Sequence, residues 1–165
     1  MTKKIITIII FTIAFLSYTS AQTVEYTYRP LAAEGCSMKY CVAKQGEQYY
    51  IIATVSSDRM RFLKESCMLI RTFDGNVIEL DGCLLDNDTQ SRGIIVGNVV
   101  VPVTGIISSA QFKISEAELQ QLECGISKIR LTTIPIEHER TFKKDKIGNK
   151  IYKLYSQVKN KNTYF

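Results

Sequence analysis

One histidine, five cysteines and a run of lysines near the C-terminus are the residues of this 165-residue chain with chemistry to offer. His138 is the only imidazole, so any mechanism that needs a histidine base has a single candidate. It stands between Glu137 and Glu139 in the stretch Ile136 to Phe142, whose alternation is that of a strand. On a strand the two glutamates project opposite His138, which shares its face with Ile136 and Phe142. That placement predicts a hydrogen-bonded or partly exposed strand histidine and not a general base.

The cysteines are Cys36, Cys41, Cys67, Cys83 and Cys124, an odd number that leaves at least one unpaired. No C-x-x-C and no structural-zinc spacing occurs among them, and none lies in a recognisable nucleophile motif. A small secreted enzyme built on a cysteine or His138 therefore stands as an alternative without a motif. Asp74-Gly75-Asn76 is turn chemistry between Cys67–Phe73 and Val77–Leu80. With those three residues as the loop, Phe73 faces Val77 and Cys67 comes opposite Cys83, within bridging distance. Buried free thiols are the alternative, and Cys36 and Cys41 are candidates to close a small loop.

Phosphate-binding loops, G-x-S-x-G, H-E-x-x-H and dinucleotide fingerprints are all missing. The oxygen-rich segment Asp86 to Gln90 invites a calcium reading. The pattern fails where Ser91 replaces the obligatory Gly and Gly97 the bidentate Glu, which leaves a solvated loop over 86–93. Asn87-Asp88-Thr89 fits the glycosylation acceptor pattern. No catalytic residue, metal ligand or cofactor site is assigned.

The lysines are the remaining chemistry. Ile147, Ile151, Leu154, Tyr155 and Val158 recur at helical spacing, with Lys146, Lys150, Lys153 and Gln157 on the other side. Such a helix covers a sheet with its apolar face. Its lysines are candidate contacts for an anionic surface or polymer. The charge distribution agrees: the chain carries +5 overall, but residues 22–139 hold 11 basic and 15 acidic side chains against eight and one in 140–165. With no Trp and no recognised motif, nucleic acid is not an expected partner.

The elements that must position these residues are mostly strands. Val24–Arg29 alternates and ends at Pro30; Met38–Ala43 follows; Tyr49–Val55 is a continuous apolar run that reads as a strand buried on both faces. Ile94–Val96 and Val99–Val103 flank Gly97-Asn98 as a tight hairpin or a bulged strand, and Ala110–Ile114 is a further short strand. Ser115 with Glu118 is a capping box, opening a helix that stops at Gly125. Lys128–Thr133 and Ile136–Phe142 alternate as an antiparallel pair. The expected fold is mainly β with some α: an antiparallel β-sandwich or open sheet, one short helix near 116–124 and a C-terminal amphipathic helix near 146–159.

Met-Thr-Lys-Lys followed by the apolar run Ile5–Leu16 is the n- and h-region of a signal peptide, with cleavage between Ala21 and Gln22. Twelve residues reach only about 18 Å as a helix, too short to span a bilayer. The expected product is a single β-rich domain over 22–165 ending in a basic helix, with no transmembrane span, in the periplasm or outside the cell.

The run Phe112-Lys113-Ile114-Ser115, Glu118-Leu119, Leu122, Gly125, Lys128-Ile129-Arg130-Leu131 and Phe142-Lys143-Lys144, closed by an Ile/Leu helix, resembles small exported proteins of the Bacteroidota over roughly 109–158. The resemblance implies location and not activity. Taken together, the sequence points to an exported, non-catalytic structural or binding protein, with an unknown protein or an anionic cell-envelope component as its partner.

Overall fold

The computed structural model describes residues 23–28, 36–96 and 98–161. The expected leader, its expected cleavage between Ala21 and Gln22 and the expected strand end at Pro30 lie outside them. The chain runs through β1 (Val24–Tyr28), β2 (Cys36–Gln45), β3 (Gln48–Ser57), β4 (Arg61–Phe62), β5 (Glu65–Thr72), β6 (Val77–Val96) and β7 (Val99–Ile114). It continues with α1 (Glu116–Gln121), a 3-10 turn (Leu122–Cys124), β8 (Ile126–Leu131), β9 (Thr133–Ile134), β10 (His138–Thr141) and α2 (Gly148–Lys161).

Eight strands form one antiparallel sheet in the order β1-β2-β3-β7-β6-β5-β8-β10, and β4 pairs with β9 apart from it. The sheet is open but curled, because Tyr26 on its first strand touches His138 on its last. Met38, Tyr40, Ile51, Val55, Met68, Ile70 and Phe112 fill the concave side, each fully buried. α1 opens on the capping box of Ser115 and Glu118, with both reciprocal bonds made, and the 3-10 turn that continues it ends where Gly125 takes φ +79°. Leu119 and Leu122 are buried beneath it. α2 lies against β2 and the 3-10 turn, burying Ile147, Ile151, Leu154 and Tyr155, with the Tyr155 ring edge-on to Tyr49 at 5.3 Å. Burial of that apolar stripe, rather than propensity, is what holds so short a helix.

Four expectations need correction. β3 is not buried on both faces: Tyr49, Ile51, Ala53 and Val55 are inside while Tyr50, Ile52 and Thr54 are half-exposed. It is central along the sheet, but only the concave face is covered. Residues 86–93 are not a loop but part of β6, paired with β7 from Asp86↔Ser109 to Gly93↔Pro102. Their polarity reflects a ribbon wet on its exposed faces, where no alternation is needed. Cys67 does not face Cys83. The hairpin closes at Arg71↔Val77, so Cys67 pairs with Asp81 and Cys83 with Glu65, and both thiols are free. Thr72 and Phe73 belong to the turn: the Thr72 hydroxyl bonds to Asp74 and to the Asn76 carbonyl, while Phe73 donates its N–H to Gly125 O at 3.2 Å. Cys36 and Cys41 lie five residues apart on one straight strand and point to opposite faces, roughly 16 Å apart, too far to bridge.

Candidate functional site: a basic groove at the seam of the sheet

Where the curled sheet brings β1 towards β10, no backbone ladder joins them among the described residues. Side chains close the inner part of the seam instead. The Tyr26 hydroxyl lies 2.7 Å from His138 Nε2 and 3.0 Å from the Tyr40 hydroxyl, a chain across 112 residues of sequence. The Tyr26 ring stacks on His138 at 5.8 Å and meets Phe142 edge-on at 5.6 Å. His138 is fully buried. Burial, with the Arg140 charge adding to it, pulls its pKa down to about 4, so the ring is neutral at pH 7. Tyr40, also buried, is held protonated well above its usual range by that burial. This chain fixes the Tyr26 ring as a wall and keeps its hydroxyl turned inward.

Outside this wall the seam opens into a groove of about 980 Å³. Glu25, Tyr26 and Thr27 of β1 form one side, Arg140 and Phe142 the floor, and Lys146 just ahead of α2 with Asn149, Lys150 and Lys153 of α2 the other side. The lysine spacing read from the sequence thus becomes one basic bank of a real cleft. Lys146, Lys150 and Lys153 are exposed, and among the described residues none of them makes an ion pair.

The two acids in the groove are engaged by other groups. Asp145 Oδ1 accepts from the N–H of Ile126 at 2.9 Å and of Gly148 at 2.8 Å, and Oδ2 accepts from the N–H of Asn149 at 2.9 Å. Burial pushes its pKa up, but these backbone donors outweigh it and hold the carboxyl below its usual value. Asp145 is therefore the cap of α2, its charge facing the positive end of the helix and tying it to β8. Glu25 stands 3.7 Å from Lys39. The groove is thus lined by Glu25 and Asp145 against Arg140, Lys146, Lys150 and Lys153, a net charge of +2.

The other charges sit elsewhere. On the outer side of β8 and β10, Glu139 takes Lys128 Nζ at 2.8 Å and Arg130 Nη2 at 2.9 Å, with Glu137 at 3.9 Å from Arg130. Opposite placement of the glutamates and His138 is thus as the alternation predicts. His138 is not partly exposed, however, since the whole seam closes over it. The thiols of Cys36 and Cys41 are pushed up by burial, that of Cys67 by burial and then Glu79, and that of Cys124 chiefly by Asp74. All four shifts run against thiolate formation. Among the described residues no group of His, Cys, Asp and Glu is placed to hold a metal ion.

Sequence reasoning finds the three lysines but misses Tyr26, Arg140 and Asp145. Asp145, just ahead of the helical pattern, carries a readable cap signal. Tyr26 carries none, because its partners lie on strands remote in sequence. Among the described residues no helix is long and apolar enough to cross a membrane. Comparison of the chain with protein-family models, with curated proteins and with solved structures gives no match in any of the three.

Proposed function

We propose that this chain is an exported, non-catalytic binding protein of the periplasm or cell exterior, and that the seam groove holds a phosphate- or carboxylate-bearing component of the cell envelope. The observation that carries the reading is the convergence of Lys146, Lys150, Lys153 and Arg140 on one cleft whose acids are already engaged. A concave site with a rigid aromatic wall and a few converging charges is the usual form of a ligand site. The raised thiols and the buried neutral His138 speak for binding over turnover. The sequence resemblance to small exported Bacteroidota proteins and the signal-peptide pattern support the location.

The test compares the protein with its Lys146→Glu/Lys150→Glu/Lys153→Glu variant, using soluble polyphosphate and phosphatidylglycerol vesicles as probes. We expect binding of at least one probe that weakens steeply with salt. The variant should bind about ten- to a hundredfold more weakly, from three exposed contacts of up to about 1 kcal/mol each. Equal binding by both forms overturns the reading. So does capture from the cell envelope of one protein partner that both forms retain at high salt, since its interface lies elsewhere.

A further inference from the structure

β6 is covered on its outer edge by β5 only from Val77 to Cys83. From Asp86 onward its one partner among the described residues is β7, which in turn is covered by β3 only as far as Ile106. Gln90–Val96 and Val99–Gly105 therefore stand as a two-stranded arm beyond the sheet. A two-stranded ribbon by itself is marginal in water. This one is also apolar: no Asp, Glu, Lys or Arg occurs between Arg92 and Lys113. Val99 and Val100, adjacent and so on opposite faces, are 63% and 66% exposed.

The two free edges differ. β7 carries Pro102 opposite Gly93, and a proline is tolerated in a ladder only with its ring nitrogen facing away from the partner strand, so the outer edge of β7 lacks a donor. Residues 86–94 of β6 contain no proline. Their charges, Asp86, Asp88 and Arg92, are of mixed sign. We propose that the β6 edges of two copies of this chain pair antiparallel about Gln90, joining two curled sheets through their arms. A two-fold axis at Gln90 sets Asp88 of each copy opposite Arg92 of the other, an opposite-charge cross-strand pair made twice. It also uses Asp86 to Ile94, a run that stays clear of the irregularity in the β6 ladder between Leu84 and Asp86. Lipid is the poorer occupant, since a bilayer leaves the free N–H and C=O groups of both edges without partners.

Sedimentation equilibrium on protein expressed from the full-length chain tests this. Wild type should dimerise. Asp88→Arg and Arg92→Asp should each dissociate about tenfold more readily, since each turns two attractive pairs into repulsive ones. An equimolar mixture of the two variants should associate as tightly as wild type, because each restores the other's complement. That mixture also shows that both variants are folded. A wild-type chain that stays monomeric at every accessible concentration overturns the proposal. So do single variants that dimerise like wild type, a mixture no tighter than its parts, or a monomer that floats with phosphatidylcholine vesicles.

Discussion

At the seam, four aromatic and imidazole rings from β1, β2, β10 and the segment after β10 lie in contact, and Gly148, the first residue of α2, packs against the backbone of Ile126 at the start of β8. At the arm, the far end of β6 and β7, Val99 and Val100 face water. Both regions begin as strand edges of the same sheet. One is finished by its own side chains and a helix; the other is left to be finished from outside. Cooperative stability should therefore be concentrated at the seam, with the arm near the low end of local opening free energies.

The same substitution made in the two regions separates them most widely at glycine. A Cβ on Gly148 would lie 2.5 Å from Ile126 N and 2.7 Å from Gly125 Cα, both backbone atoms that no side-chain rotation can clear. Gly148→Ala must push α2 away from β8 and break the Asp145 cap between them, and we expect a loss of about 3 kcal/mol in urea unfolding. On Gly105, in the arm, the nearest neighbour of the added carbon is Gln90 O at 3.7 Å. Gly105→Ala should be neutral or stabilising by up to about 1 kcal/mol. Equal midpoints for the two variants would mean that the junction of α2 with β8 is not the tight contact described.

Acid should loosen the seam before it touches anything else. His138 binds its proton at about 4 in the folded chain and near 6.5 when unfolded. The unfolded state therefore gains protons first, and the stability contributed by neutral His138 is complete above about 6.5 and lost as pH falls towards 4. By pH 5 the loss should reach about 2 kcal/mol. Asp145, Glu139, Glu116 and Asp74 have lowered pKa values, so their contributions fall away only below the ordinary carboxylate range. The window from 6.5 to 5 thus isolates the histidine. His138→Asn should be less stable at pH 7, having lost the Tyr26 contact, but flat across that window. A wild-type chain equally flat there would show that His138 is hydrated.

The two regions also differ in how far they can be read from the sequence. Local grammar carries a long way: the capping box at Ser115, the turn residue Gly125, the apolar stripe of α2, the antiparallel pair β8 and β10 and the Val96–Val99 hairpin are all found where spacing puts them. The lysine bank of the groove is legible for the same reason. Its other wall is not, since Tyr26 meets His138 only because eight strands curl far enough to bring the first beside the last. At the arm the failure has the opposite cause. Asp86 to Gly93 has turn-forming composition, and backbone pairing with β7 overrides it because no residue there must be buried. The Cys67 register slips by two residues because Thr72 and Phe73 are drawn into the turn by side-chain bonds and by Gly125. A slip of two leaves every side chain on its expected face.

The smallest expected effect is again one change in two places. Val55 of β3 is fully buried on the concave face between Met38 and Ser108, and Val55→Thr places a second hydroxyl beside that of Ser108, which already accepts from the Phe62 N–H, at a cost of about 1 kcal/mol. Val100→Thr makes the same exchange at a residue 66% exposed, keeps the β-branched shape, and should leave the midpoint within about 0.5 kcal/mol at high dilution. Dilution matters because a dimer stabilises its folded chains in proportion to how far concentration exceeds the dissociation constant. If arms pair, wild type should unfold at higher urea when concentrated, and any penalty for Val100→Thr should be largest there. A penalty already present in the dilute monomer would mean that the arm folds back on its own sheet, and the contrast between the two regions would disappear.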